Sequence, residues 1–171
     1  DYCPEAEASF AGAIPGKMAE LSGCSGSWQE AFRTHASEYF MSWALSSAVG
    51  RITRDAHRLY PLPLMMNAVT LGVRQEPGAA CSGGPLPRDQ KIWRHFAPEI
   101  ALYGPDIYTP EYQELCEVFS SGGKGALAVP ELSCNRDACA KALYTVAGFH
   151  TLLFSPFGIE NIGEGACEPD R

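Results

Sequence analysis

Glu131 closes a run of small and apolar residues, Ala126-Leu127-Ala128-Val129-Pro130, and is the residue of this chain best placed to do chemistry. A continuous apolar run of that length reads as a strand buried on both faces, the pattern of parallel sheets. Pro130 has no ladder N–H to donate, so the strand is expected to stop there and leave Glu131 just past its carboxyl end. In α/β barrels and open α/β sheets, that edge is where active sites are built. The alternative is that Glu131 caps the following helix or faces solvent.

A carboxylate at such an edge suits glycoside hydrolysis, which uses two carboxyl groups. In the retaining form they stand about 5 Å apart, one as nucleophile and one as acid/base. Glu131 is the nucleophile candidate. Tyr108, one strand earlier, could donate a hydrogen bond that keeps it ionised and oriented. Asn67, interrupting the apolar run Leu64-Met65-Met66-Asn67-Ala68-Val69, could contact a sugar hydroxyl, since its amide both donates and accepts. Asp106 lies two residues before Tyr108, so it shares that strand's face and is the candidate second carboxylate. Its other reading is a loop-fixing residue after Gly104-Pro105. Glu160, beyond the turn Ser155-Pro156-Phe157-Gly158, is expected on the surface. Phe154, Phe157 and Trp93 offer faces on which a sugar ring could stack, or else they fill the core.

Other chemistries lack their residues. There is no GxSxG elbow, and Gly122-Gly123-Lys124-Gly125 has neither phosphate-loop spacing nor a following helix. There is no HExxH cluster and no CxxC pair, so neither metal nor cofactor is expected.

Apolar periodicity places the elements that must position these side chains. Residues 1–27 read as an irregular lead-in with one short helix near Lys17–Leu21. Residues 28–59 read as one long helix, opened by a Ser27/Glu30 capping box and closed before Pro61. Strands are expected at 63–69, Asp106–Tyr108, Ala126–Pro130 and Thr151–Phe154. Helices at 88–98, 111–120 and 137–149 separate them, and residues 163–171 form a polar tail. Strands alternating with helices imply a parallel sheet with crossover helices, an α/β fold. Successive strands then present Asn67, Tyr108, Glu131 and Ser155 at one rim.

The totals narrow the function classes. With 171 residues, 46% of them hydrophobic and 19% charged, the chain can bury a sizeable core. A net charge of −7, with Lys and Arg scattered singly, argues against nucleic acid and against an anionic membrane surface. The longest uncharged stretch, 142–159, is broken by His150, Pro156 and two glycines and does not read as a membrane span. Seven cysteines leave at least one unpaired within the chain. Cys134 and Cys139 could bridge a short loop, or most of the seven are small buried hydrophobes. The compartment stays open between cytoplasmic and secreted.

Several segments occur in a telling order: Leu62-Pro63-Leu64-Met65-Met66-Asn67-Ala68, Ser82-Gly83-Gly84-Pro85, Trp93 with Ala97-Pro98, Pro105-Asp106-Ile107-Tyr108, Val129-Pro130-Glu131 and Phe154-Ser155-Pro156-Phe157-Gly158-Ile159-Glu160. Together, across roughly residues 4–162, they resemble the catalytic barrel of β-galactosidase-like glycoside hydrolases of family 35, in the branch with a further domain after the barrel. The resemblance implies a (β/α)8 barrel of TIM type and a retaining mechanism. Glu131 matches the nucleophile at the end of the seventh strand; Asn67, Tyr108 and Phe157 match pocket-lining positions. A whole barrel takes about 250 residues, so residues 28–162 are expected to be its second half, about four βα units holding strands five to eight.

In that family the acid/base is a Glu following an Asn at the end of the fourth strand. No Asn-Glu pair occurs in these residues. The chain alone is therefore expected to be inactive: a partial glycosidase domain with the nucleophile but without the acid/base. The alternative is a non-catalytic carbohydrate-binding or pseudoenzyme remnant. The expected partner is a β-galactoside-type carbohydrate. Half a barrel leaves two open strand edges, through which self-association is expected.

Overall fold

The computed structural model describes residues 3–79, 82–121 and 126–161. They form an α/β protein divided into two compact units. Unit 1 takes residues up to Leu62 and then Glu76–Glu99; unit 2 takes Pro63–Gln75 and the chain from Ile100 onward. The long connection between the first two strands belongs to the helical unit.

Unit 1 contains helices α1 (Pro4–Ala11), α2 (Gly16–Ser22), α3 (Trp28–Phe32), α4 (Ala36–Leu59) and α5 (Gln90–Phe96). The expected irregular lead-in is therefore wrong for most of its length. Pro4 sits at the first helical position with Glu5 and Glu7 in the first turn, a favourable start. Met18 of α2 is buried, and Ile14, Met18, Trp28, Ala36 and Ile92 form one core. Rings surround it: Trp28 lies 5.3 Å from Phe40 and 5.5 Å from Trp43, and Phe10 lies 5.3 Å from Phe40. The glycines and serines of the lead-in hid a segment whose few large residues do the packing.

The long helix expected over 28–59 is broken. The Ser27/Glu30 capping box forms as read, with the Ser27 amide donating to Glu30 Oε2 at 2.8 Å. After the five residues of α3, Arg33 adopts φ +51°, and a 3-10 turn over Arg33–His35 leads into α4. Apolar spacing alone carries no signal for one residue leaving the helical basin.

Unit 2 is a four-stranded, wholly parallel sheet in the order β1 (Leu64–Thr70), β2 (Ile100–Ile107), β3 (Ala126–Leu132), β4 (His150–Pro156). Helix α6 (Tyr112–Ser121) joins β2 to β3 and packs on both; α7 (Ala138–Gly148) joins β3 to β4 and packs on β4. Buried Leu127, Ala128, Val129 and Leu132 of β3 form the middle of this unit with Tyr103, Ile107, Leu115 and Phe119.

Two strands differ from expectation at prolines. β2 begins at Ile100 and runs through Gly104-Pro105 to Ile107, with Tyr108 the first residue after it. β3 continues through Pro130 to Leu132, so Glu131 lies inside the strand's last turn of pleat and not beyond it. Register resolves the paradox. β2 is held by β1 along its length, Ala68 opposite Pro105 included, whereas β2 and β3 pair only at Asp106↔Glu131 and Ile107↔Leu132. Prolines 105 and 130 stand side by side just before that ladder starts, where no N–H is required. The Pro130 ring fills the space a side chain on Gly104 would need, its Cδ 2.8 Å from that position. On the far side, the β3–β4 register shifts between Val129 and Leu132, absorbing the same proline. The expected strand at Thr151–Phe154 is real and slightly longer. Cys139 is a free thiol, so the Cys134–Cys139 bridge does not form. The expected glycine breaker at 122–125 and the polar tail at 163–171 lie outside the described residues. Among the described residues no helix is long and apolar enough to cross a membrane.

Candidate functional site

The middle of β1 and the carboxyl-terminal ends of β2 and β3 bring four of the sequence candidates together. Asp106 and Glu131 are register partners on adjacent parallel strands, which stand about 4.8 Å apart. Tyr108, just past β2, donates its hydroxyl to Glu131 Oε1 at 2.5 Å. Asn67 of β1 donates its side-chain amide to Asp106 Oδ1 at 3.2 Å. Two carboxyl groups therefore sit side by side, each held by one neutral donor from a neighbouring segment. Asp106 belongs to a strand, where it accepts from Asn67 and stands opposite Glu131.

Their environments differ. Asp106 is 5% exposed. Burial raises its pKa above the ordinary aspartate value, Glu131 nearby raises it further, and the bond from Asn67 works the other way. Tyr108 is half exposed, yet its phenol is pushed up to about 12, first by desolvation and then by its bond to Glu131. The proton thus stays on Tyr108, which remains a donor throughout the neutral range.

Phe157 reaches the same rim by its backbone. Its amide donates to the Leu132 carbonyl at 2.8 Å, tying the residue after β4 to the end of β3, while its ring is 69% exposed. The structure thus puts Phe157 at the site edge with a free aromatic face, and the core alternative does not apply to it. Glu160 is exposed, as read. Trp93 is fully buried in unit 1, with its indole N–H donated to the Gly83 carbonyl at 3.0 Å, so it is a core residue.

No known protein family matches this sequence, and no curated protein matches it either.

Two features escaped the sequence reading. Glu111, at the start of α6, accepts the Val73 amide at 2.7 Å and lies against Gly72, whose φ of +142° no larger residue would adopt readily. With Arg74 paired to Glu114 at 2.9 Å, this fastens the loop after β1. Only the pair Pro110-Glu111 hinted at it, as a helix start. The second feature lies in unit 1, where Glu38 and Asp89 are almost fully buried beside a partly buried Arg88. Arg88 Nε stands 3.0 Å from Glu38 Oε2. Burial first, and Glu38 second, push Asp89 up to about 7 against the pull of Arg88 and Ser42. Nothing in the residues around Glu38 distinguished it from a solvated helix position. Among the described residues no cluster of His, Cys, Asp or Glu could hold a metal ion.

Proposed function

We propose that unit 2 is the second half of a retaining, β-galactosidase-like glycosidase barrel of the family 35 type, with Glu131 as its nucleophile. The observation that carries this reading is the Tyr108–Glu131 hydrogen bond at the carboxyl rim of a parallel sheet, beside Asp106. Strand order supports it. The four strands lie in the sheet in the order they occur in the chain. Barrels are wound that way, whereas doubly wound sheets reverse at a switch point.

On this reading the rim binds a galactose-type ring, with Asn67 and Asp106 meeting its hydroxyls and Phe157 offering a stacking face. The carboxylate of Glu131 would attack the anomeric carbon while Tyr108 holds the attacking group in line. The family's acid/base has no counterpart in residues 1–171, and a missing general acid costs about 10²–10⁴-fold. The other half of the barrel would supply it, pairing at the outer edges of β1 and β4, where a second copy of this chain could also associate. The absence of an Asn-Glu pair equally favours a second reading, a carbohydrate-binding remnant without turnover.

Titration with galactose, followed by backbone amide signals, tests the proposal. Shifts concentrated at Asn67, Asp106, Tyr108 and Glu131 are expected at millimolar sugar. A flat response, or shifts confined to unit 1, would remove both readings. A chromogenic β-galactoside separates them: no release is expected from this chain alone under either reading, and release restored by a chain carrying strands one to four would select the enzyme.

A further inference from the structure

The sequence scatters its lysines and arginines singly, but the fold of unit 1 gathers three of them with a histidine around one cleft. Lys17 comes from α2, Arg51 and Arg54 from α4, and His95 from α5, with Trp43 and Phe96 as apolar walls. The cleft holds about 360 Å³, within the range of small-molecule sites. Its floor is rigid. Gly50 of α4 lies so close to the Phe96 carbonyl that a side chain there would collide with backbone. That contact fixes the distance between the arginines on α4 and His95 on α5.

The charge is the informative part. The chain carries 20 acidic and 13 basic residues, yet among the described residues no carboxylate lines this cleft. Arg54 is partly occupied, its Nε 3.4 Å from Glu99. A cleft of one sign with apolar walls concentrates ions of the other sign. Converging guanidinium groups with a lysine match the oxygens of a phosphate. An adjoining ring would find the indole face of Trp43.

We propose that this cleft binds a phosphate-bearing small molecule, its phosphate held by Lys17, Arg51 and Arg54 and its ring laid against Trp43. The cleft is too small for a nucleic-acid duplex, and the site stands independently of the sugar reading of unit 2.

Inorganic phosphate is the minimal probe, titrated into the full chain at fixed ionic strength and followed by amide signals. Saturable shifts at residues 16–17, 47–54 and 94–96 are expected at millimolar phosphate. Each exposed charge pair is worth up to about fivefold in affinity, so Arg51→Gln should weaken binding by about that factor and Lys17→Gln/Arg51→Gln by more. Arg58→Gln, on α4 but outside the cleft, should leave it unchanged. Ribose phosphate should bind more tightly than inorganic phosphate and quench Trp43 fluorescence. Equal shifts with chloride, or undiminished affinity in the double variant, would overturn the proposal.

Discussion

Asp106 and Glu131 face each other across two parallel strands, and the pairing that joins them begins only after Pro105 and Pro130. The two prolines suppress the ladder upstream and leave the site end as the one stretch where β2 and β3 are locked in register. The carboxyl pair is therefore placed by backbone, not by loop conformation. Sites held by strands are more precise than sites held by loops.

The Tyr108 hydroxyl should matter to Glu131 and little to the fold. A hydrogen bond to a charged group is worth ~1.5 kcal/mol, roughly tenfold in a rate constant. Tyr108→Phe should slow covalent modification of Glu131 about that much. Because the side chain is half exposed, the thermal midpoint should move little. Rate and melting measurements on the same preparation check both halves.

Asp106 should make stability fall with rising pH. Its folded pKa lies above the ordinary value of 3.8. The folded state then binds more protons than the unfolded chain once pH exceeds 3.8, and stability declines as pH rises from there through the folded value. Asp106→Asn keeps an acceptor for Asn67 and removes the titration. The variant should match the wild type at low pH and be the more stable at neutral pH, measured by urea midpoints across pH.

Asp89 should act the same way. Its carboxyl titrates near 7, against 3.8 unfolded, so stability should decline between about pH 4 and pH 7. Asp89→Asn should flatten that slope and raise neutral-pH stability by ~1–3 kcal/mol. In the double variant with Asp106→Asn the two effects should add if the residues do not interact.

Gly50 tests the packing that supports the cleft. A methyl group there meets the Phe96 carbonyl and the Ala97 backbone, neither of which is a flexible tip. Gly50→Ala should cost about 3 kcal/mol or more, at the upper end for overpacking, read from denaturant unfolding. Gly148→Ala, where nothing lies within 4 Å, is the control and should be near neutral.

Much of this was legible in the residues. The run Ala126–Val129 announced a doubly buried strand, and the alternation of strands with helices announced a parallel sheet. Tyr108 and Glu131 stood out as polar heads at the ends of expected strands, and Asn67 as the one polar residue interrupting an apolar run. What the sequence concealed was long-range. Pro105 and Pro130 each argued locally against a strand, and only their side-by-side position makes both harmless. Glu38 has its partners Arg88 and Asp89 about fifty residues away along the chain, so no local pattern marks it. Lys17, Arg51, Arg54 and His95 are dispersed along the chain and converge only when α2, α4 and α5 pack. Arg33, with its positive φ, follows from no propensity.

On the proposed reading, Glu131 is the carboxylate that bonds to a sugar. A galactosyl fluoride with a second fluorine beside the anomeric carbon tests it most directly, because fluoride departs without a general acid. The attacking carboxylate oxygen replaces the anomeric fluorine, fluoride leaves, and the second fluorine slows breakdown of the ester. Peptide mass spectrometry of the treated chain should find one fluorosugar on Glu131, absent in Glu131→Gln and slower to appear in Tyr108→Phe. A chain left unlabelled, or labelled on any other residue, would contradict the account.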